Sequence, residues 1–181
     1  MAVLAPLLSR LSPIGVVERT RIARASAADA FAVASSYGVR LEWDPFVSAQ
    51  HLVNTGTPGK GVRTYTRSRH GLTMISEYLT YRAPTHMGMK MVQGPWFFRT
   101  FSGSWHFKEL GEGRLEVVYR YRYDCRPAWL QPISHRIGNW YLGRDIARRV
   151  DAFVAGCEDP DIVGRARAEA AGPSAGSHRP A

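Results

Sequence analysis

The sequence predicts an α+β domain in which seven antiparallel strands precede one long helix. Between residues 46 and 124, short stretches of alternating apolar and polar side chains follow one another, with turn-forming residues between them. Such alternation is typical of strands that bury one face. After residue 127 the spacing of the apolar residues changes to a helical period and keeps it as far as Cys157.

The N-terminal part of the domain predicts one strand and two short helices. Residues 16–25 alternate in polarity and form the first predicted strand. Ser26 suits a helix N-cap, and Asp29 places a carboxylate near the exposed amides of the first turn. This helix is expected to stop at Gly38. Residues 40–45 predict a turn or a second short helix, which the proline ends.

Six further strands are predicted from the alternating pattern. We place them at residues 47–54, 61–69, 72–82, 86–92, 97–109 and 114–124. Glycine and proline residues mark the breaks between them. The links between consecutive strands are short, which favours an antiparallel meander.

The last predicted element is an amphipathic helix that ends near Cys157. Its apolar stripe consists of Ile133, Ile137, Trp140, Tyr141, Ala147, Val150 and Val154, and the residues mostly off the stripe are Arg136, Arg148, Arg149 and Asp151. The chain is therefore divided into a lead-in at residues 1–15, a domain at 16–158 and a tail at 159–181. The tail is rich in Ala, Gly, Arg, Ser and Pro, and it is predicted to be disordered.

Composition and motif content exclude several classes of protein. The 181 residues suit one domain with a sizeable core. The net charge of +9 comes from dispersed arginines, which disfavours nucleic-acid binding and leaves a solvated surface or an anionic partner as explanations. Cys125 and Cys157 lack metal or redox spacing, and reduced thiols in a cytoplasm are expected. The histidines show no metal spacing, and no phosphate loop or nucleophile elbow is present, so no metal or cofactor is predicted.

An aromatic hairpin is the most informative local pattern in the chain. Because side chains alternate across a strand, one face of residues 101–123 carries Phe101, Trp105, Phe107, Val117, Tyr119, Tyr121 and Tyr123. Three tyrosines on a buried face each need a hydrogen-bond partner. Such a half-polar interior suits a ligand cavity, and packing under the long helix as ordinary core is the alternative.

Two neighbouring segments supply further candidates for a pocket wall. Met87, Met89 and Met91 share one strand face, where flexible side chains suit either an irregular pocket or an ordinary core. The segment 94–99 places three aromatics, Trp96 among them, beside Arg99. Arg99 either points inward, where it would meet an anionic or enolate oxygen, or is turned to solvent by a bulge after Pro95.

Glu77 is a candidate acid or base, with the direction of its side chain left open. It shares a face with Ile75, Leu79 and Tyr81, but the opposite face of the same strand is almost as apolar. On an apolar face its carboxyl would have a raised pKa and could exchange protons with a ligand. Facing Arg99 or Tyr121, it would form a site for aldol-type cyclisation or dehydration. Glu77, Arg99 and Tyr121 are therefore the catalytic candidates.

The element order and three local motifs resemble a known superfamily. The motifs are Ala27-Ala28-Asp29-Ala30-Phe31, Trp43-Asp44-Pro45-Phe46-Val47 and Gly103-Ser104-Trp105-His106-Phe107. Over residues 16–157 the chain resembles the START-like, birch-pollen-allergen-like superfamily (SRPBCC), and most closely its bacterial polyketide cyclase/dehydrase-type members. The resemblance implies a helix-grip fold, in which a curved seven-stranded sheet wraps around the long helix and leaves a ligand cavity between them.

The resemblance leaves three functions open. The first is an apolar cavity for an aromatic or polyketide-like molecule, with cofactor-independent cyclisation or dehydration as the chemistry. The second is a non-enzymatic carrier of a lipid or an isoprenoid quinone. The third is a basic surface that binds ribosome or RNA, with a filled interior. The residues expected to contact a ligand are Trp43, Met87, Met89, Met91, Trp96, Phe101, Trp105, Tyr119, Tyr121, Tyr123, Ile137, Trp140 and Tyr141.

An arginine patch is the expected contact for an anionic partner. In the resembled fold the first and last strands are neighbours, which would place Arg19 and Arg21 beside Arg120 and Arg122 on the outer face. Like charges on adjacent strands repel, so such a patch would attract an acidic carrier protein or a membrane surface. Hydration of the four side chains, with help from Glu116, is the alternative.

Overall fold

The computed structural model describes residues 14–54, 56–127 and 131–172, which form seven strands and four helices. The elements are β1 (Gly15–Arg24), α1 (Ala27–Ser35), α2 (Tyr37–Trp43), β2 (Val47–Leu52), β3 (Arg63–Ser68), β4 (Thr73–Arg82), β5 (His86–Gln93), β6 (Phe98–Gly111), β7 (Arg114–Cys125), α3 (Gln131–Glu158) and α4 (Pro160–Ala171). Residues 1–13 of the expected lead-in lie outside the described residues.

The seven strands form one antiparallel sheet in the order β1-β7-β6-β5-β4-β3-β2. Strands β2 to β7 pair as a meander, and β1 crosses over to pair with β7, so that Val17 lies opposite Tyr121. The sheet curls around α3, which confirms the predicted helix-grip fold.

The two short helices follow β1 directly, as predicted. Ser26 caps α1 by accepting a hydrogen bond from the amide of Asp29 at 3.1 Å. Ser36 ends α1 and caps α2 through the amide of Val39, also at 3.1 Å. The expected stop of the first helix at Gly38 was wrong, because α1 ends at Ser35 and Gly38 lies inside α2. Helix α2 begins at Tyr37, three residues before the predicted start at residue 40.

The hydrophobic core lies under the C-terminal half of α3. Ile146, Val150 and Phe153 are fully buried there, and the Phe153 ring centroid lies 4.5 Å from that of Trp105 and 5.8 Å from that of Phe107. The predicted stripe was wrong in its first half, because the large residues Ile133, Ile137, Trp140 and Tyr141 are all exposed. The second half of the helix packs on the sheet, whereas the first half touches it at Tyr123 and otherwise covers a hollow.

The prediction of a disordered tail from residue 159 was wrong for residues 160–171. Asp159 caps α4 by accepting from the amides of Asp161 and Ile162, and Ala166 is fully buried. Ion pairs join Arg165 to Glu42 and Arg167 to Asp29, each at 2.6 Å. Composition alone indicated disorder, but the helix is held by partners more than a hundred residues away in sequence. Residues 173–181 lie outside the described part of the chain.

Candidate functional site

A cavity of about 530 Å³ lies between the sheet and the first half of α3. Its volume is within the usual range for small-molecule sites. Ten of the predicted ligand-contacting residues line it, namely Met87, Met89, Met91, Phe101, Trp105, Tyr119, Tyr121, Tyr123, Ile137 and Tyr141. Lining residues that the sequence analysis did not select include Phe46, Met74, Tyr78, Phe97, Phe98, Leu142, Asp145 and Arg149.

Three predicted residues do not line the cavity. Trp43 is buried in the core instead, with its ring edge-on to Phe153 at 5.1 Å, because α2 packs against the C-terminal half of α3. Trp96 and Trp140 are 76% and 68% exposed, respectively. Helix α3 turns its Ile137 and Tyr141 towards the hollow and leaves Trp140 on the outside.

The cavity wall on β6 and β7 is a stack of aromatic rings. Trp105 and Tyr119 lie face to face, with ring centroids 3.7 Å apart and planes within 5° of parallel. Phe101 and Tyr121 continue the wall at 5.0 Å. The register sets Trp105 opposite Met87, so the methionines of β5 extend the same face. Planar rings and thioethers together form a wall suited to a flat, apolar ligand.

The catalytic candidate Glu77 lies on the outer face of the sheet, so an inward direction for its side chain was wrong. Its carboxylate pairs with Arg63 at 3.2 Å and with Lys90 at 3.3 Å. These hydrogen bonds lower the pKa of Glu77, the opposite of the shift expected in an apolar pocket. Ordinary alternation along β4 explains the outcome, because Met74, Ser76 and Tyr78 line the cavity and Glu77 lies between the last two.

The second candidate, Arg99, also lies off the cavity. A register shift between Phe98 and Thr100 places Phe98 and Phe101 on the cavity wall and turns Arg99 away from it. Its side chain is 40% exposed and lies 3.4 Å from the carboxylate of Asp124. The alternative of a bulge near Pro95 is therefore the one that the structure adopts, and an inward Arg99 was wrong.

Tyr121, the third candidate, lines the cavity and belongs to a buried polar cluster. Arg149 of α3 donates a hydrogen bond to the Tyr121 hydroxyl through Nη1 and another to Asp44 Oδ2 through Nη2, at 2.7 Å. Arg40 donates to the same Asp44 oxygen at 3.1 Å. Burial raises the pKa of Tyr121 well above its usual value, so the phenol stays neutral beside the guanidinium.

Two opposed influences set the charge of Asp44. Burial by itself would raise the pKa of this fully buried carboxyl, but the guanidinium groups of Arg149 and Arg40 outweigh burial and hold the pKa below its usual range. Asp44 is therefore ionised at neutral pH and shared between two arginines. Asp44 Oδ1 also accepts a hydrogen bond from the backbone amide of Phe46 at 3.0 Å, which fixes the chain just before β2.

Asp145 adds a second carboxyl at the same end of the cavity. It lines the cavity one helical turn before Arg149, with Oδ2 3.9 Å from Nη1. Burial raises the pKa of Asp145, although Arg149 acts in the opposite direction. Asp145 thus has the raised pKa that the sequence analysis expected of Glu77, on a different element. A partly buried acid, a phenol and a guanidinium meet where the rest of the wall is apolar.

The sequence held a signal for Arg149 that the predicted stripe concealed. Arg149 lies three residues after Ile146 and four before Phe153, so it shares the buried face of those residues. A stripe anchored on Leu142 and Ile146 would have included it. Its partner Asp44 precedes a proline at the end of α2, where no local pattern marks it as buried.

The expected patch of four arginines does not form. Arg19 lies opposite Tyr119 and, like Arg21, faces α3, where Arg21 pairs with Asp151 at 2.8 Å. Arg120 lies on the outer face and pairs with Glu18. The two pairs of arginines therefore occupy opposite faces of the sheet. Burial of the tyrosines fixes Arg120 and Arg122 outward, and the antiparallel register then fixes Arg19 and Arg21 on the other side.

A histidine pair lies across β5 and β6, outside the cavity lining. The Nδ1 atoms of His86 and His106 are 2.9 Å apart, which is a hydrogen-bond distance. Burial lowers the pKa of both side chains. In the part of the chain that the structure describes, no three His, Cys, Asp or Glu residues are placed to hold a metal ion.

A family model described as polyketide cyclase / dehydrase and lipid transport matches residues 15–158. The chain belongs to this family. The family and the similar structures support a hydrophobic-ligand-binding fold. No curated protein matches the chain.

Solved structures show the same fold at low sequence identity. A START superfamily protein from Mycobacterium smegmatis is 14% identical, with a TM-score of 0.63 over 77% of this chain and 97% of that one. The ginseng major latex-like protein 151 from Panax ginseng is also 14% identical, with a TM-score of 0.62 over 78% and 96%. The di-domain ARO/CYC StfQ from the steffimycin biosynthetic pathway is 16% identical, with a TM-score of 0.65 over 82% and 52%.

Proposed function

We propose that the protein binds an aromatic or polyketide-like molecule in its cavity and promotes cyclisation or dehydration of that molecule by acid/base chemistry. The observation that carries the proposal is the meeting of Asp145, Tyr121 and Arg149 at one end of an otherwise apolar, ring-lined cavity. A flat ligand would stack on Trp105 and Tyr119 and present an oxygen to this polar end.

The three side chains suit distinct parts of one reaction. Asp145 would take a proton from a carbon next to a ligand carbonyl, and its raised pKa makes the carboxylate a stronger base. Arg149 and Tyr121 would stabilise the enolate oxygen that results. After the enolate carbon closes a ring on a second carbonyl, protonated Asp145 would return the proton to the new alkoxide and give a hydroxyl. For dehydration, Asp145 would take the second proton from the same carbon and pass it to the hydroxyl, which leaves as water while the C=C bond forms. Arg149 Nε is buried without a partner among the described residues, so a ligand oxygen would complete its hydrogen bonding.

A carrier of a lipid or an isoprenoid quinone is the second candidate function. It is favoured by the high proportion of apolar side chains in the cavity wall and by Ile137 and Tyr141, which line the cavity although they are exposed. The two functions differ in what Asp145 does. A carrier needs no proton exchange there, whereas the cyclisation proposal depends on it.

The test begins with native mass spectrometry of protein purified from its own host, followed by identification of any bound compound. We expect an aromatic or polyketide-like compound, and we expect Asp145→Asn to keep binding it while turnover falls by about 100-fold or more. Asp151→Asn, which changes an exposed acid on the same helix, is the matched control and should leave turnover unchanged. A bound lipid or quinone that Asp145→Asn handles like the unmodified protein would replace the cyclisation proposal with the carrier.

A further inference from the structure

Exposed apolar side chains gather at the mouth of the cavity. We define the mouth surface as Trp96, Ile133, Ile137, Trp140 and Tyr141, all of which are exposed. Trp96 lies in the loop before β6, and the other four lie on the first turns of α3. Large apolar groups rarely gather on a surface without something to cover them.

The loop and the helix belong to the same end of the molecule. Tyr123 of β7 lies between them. Its ring centroid is 6.2 Å from that of Phe98, the first residue after the loop, and 5.7 Å from that of His135 on α3. Its hydroxyl donates to Asn139 Oδ1 at 2.7 Å, which fixes the first half of α3 over β7. Pro95 and Phe97 line the cavity from the loop, as Ile137 and Tyr141 do from the helix. The mouth surface therefore surrounds one opening.

The charge around the mouth is positive. Arg136, Trp140 and Arg144 follow at four-residue intervals and are exposed, so one strip of α3 alternates cation, indole and cation. Arg126 is exposed at the edge of the cavity. Among the described residues none of these three arginines forms an ion pair, whereas Arg21, Arg63, Arg120, Arg165 and Arg167 elsewhere all do.

Acidic side chains are scarce in the two segments that build the mouth. There is no Asp or Glu between Glu77 and Glu109, and Asp145 is the one acid between Asp124 and Asp151. Asp145 lines the cavity and is mostly buried, so it does little to offset the arginines outside. A second copy of this chain would bring one positive face against another. Charge complementarity therefore favours an anionic partner over self-association.

We propose that the mouth surface docks onto an anionic lipid bilayer, with the cavity opening turned towards the lipid. Tryptophan and tyrosine favour the interface between acyl chains and headgroups, and arginines nearby are attracted to anionic headgroups. None of the helices in the described part of the chain is long and apolar enough to cross a bilayer, so docking is peripheral. A ligand that partitions into membranes would then reach the cavity without crossing water.

The experiment is co-sedimentation of the full chain with phosphatidylcholine vesicles, with and without phosphatidylglycerol. We expect binding that requires phosphatidylglycerol and weakens as salt is added. Trp96→Ala with Trp140→Ala should weaken binding by about tenfold or more, and so should Arg136→Glu with Arg144→Glu. Leu79→Ala with Leu110→Ala, two exposed apolar residues on β4 and β6 that do not line the cavity, is the matched control and should bind like the unmodified protein.

Three outcomes would overturn the proposal. One is equal binding to both kinds of vesicle, and another is unchanged vesicle binding by the double tryptophan variant. The third is a dimer in native mass spectrometry that the double tryptophan variant dissociates, because a second copy would then cover the mouth. All the substituted side chains are exposed, so circular dichroism should show folded variants. Dye uptake by the cavity in the absence of vesicles tests the proposed function separately.

Discussion

At the scale of single residues, Asp44 does the most to hold the site together. It is completely buried, and it accepts hydrogen bonds from Arg149 on α3, from Arg40 on α2 and from the amide of Phe46. One carboxylate thus ties two helices to the start of β2. Two buried guanidinium groups would lose their shared counter-charge without it.

We expect Asp44→Asn to lower the free energy of unfolding by about 3–5 kcal/mol at neutral pH, because a buried ion pair loses one partner. Since the folded-state pKa of Asp44 is depressed, its contribution is present above the unfolded pKa and is lost as pH falls through the folded pKa. The difference in unfolding free energy between the variant and the unmodified protein should therefore become smaller below about pH 4. Urea unfolding at several pH values measures this, with Asp151→Asn as control. If the difference in unfolding free energy did not change with pH, Asp44 would not be the ionised partner of the two arginines.

The histidine pair predicts a second pH effect, of the same sign and in a higher range. Burial depresses the pKa of His86 and His106, and Arg82 and Arg120 add to the effect while Glu18 opposes it. The unfolded chain thus binds more protons below about pH 6.5, and stability falls as pH falls through that range. His106→Gln should flatten the pH dependence of the melting temperature between neutral pH and pH 5. His51→Gln is the control, and an unchanged slope in His106→Gln would count against the pair.

At the scale of elements, α4 acts as a clamp on the two short helices. Glu169 accepts hydrogen bonds from the Ser36 hydroxyl and from the amide of Tyr37, at 2.8 Å for the latter. It therefore supplies a carboxylate at the N-terminus of α2, where anions are favourable. Arg167 similarly binds Asp29 in the first turn of α1.

We expect Glu169→Gln to lower stability by about 1 kcal/mol, as loss of a helix cap does. The measurement is chemical denaturation monitored by circular dichroism. Glu112→Gln, at an exposed turn, is the matched control and should be neutral within about 0.5 kcal/mol. Equal stabilities for the two variants would show that α4 does not clamp α2.

At the scale of the whole molecule, core and cavity divide the length of α3. Its second half fills the curl of the sheet with Ile146, Val150 and Phe153, and its first half spans an opening. The molecule is therefore solid at one end and hollow at the other. The first of these regions supplies stability, and the second contains the cavity in which we propose that a ligand binds.

This division predicts that the cavity can be filled with little cost in stability. Met89→Trp should remove uptake of a neutral fluorescent dye such as N-phenylnaphthylamine, while the melting temperature stays the same or rises, because added side-chain atoms occupy empty space. Leu79→Trp, on the exposed part of β4, is the control and should keep the uptake. Persistent uptake in Met89→Trp would place the dye elsewhere.

Much of the fold was predictable because its signals are local. Alternation along β6 and β7 set Trp105, Tyr119 and Tyr121 on one face, and that face is the cavity wall. Ser26 was predictable as a cap from its own residue type and its distance from Asp29. Arg99 was not predictable in the same way, because a register shift changes the face of a side chain and depends on hydrogen bonding to a neighbouring strand. Glu77 was left open for another reason, because both faces of its strand are apolar and alternation alone does not choose between them.

The sequence by itself determined the order of the elements from β1 to α3 and the aromatic wall, since each depends on spacing within one segment. The helix-grip arrangement was implied by the resemblance to a superfamily. The tertiary structure alone decided which charges enter the cavity. Arg149 is buried because Asp44, 105 residues earlier in the chain, compensates its charge. Asp145 has the raised pKa expected of Glu77 because it is partly buried against the hollow that the curl of the sheet leaves beneath that turn of α3. The partners of these buried charges are distant in sequence, so the spacing of residues within one segment does not predict them.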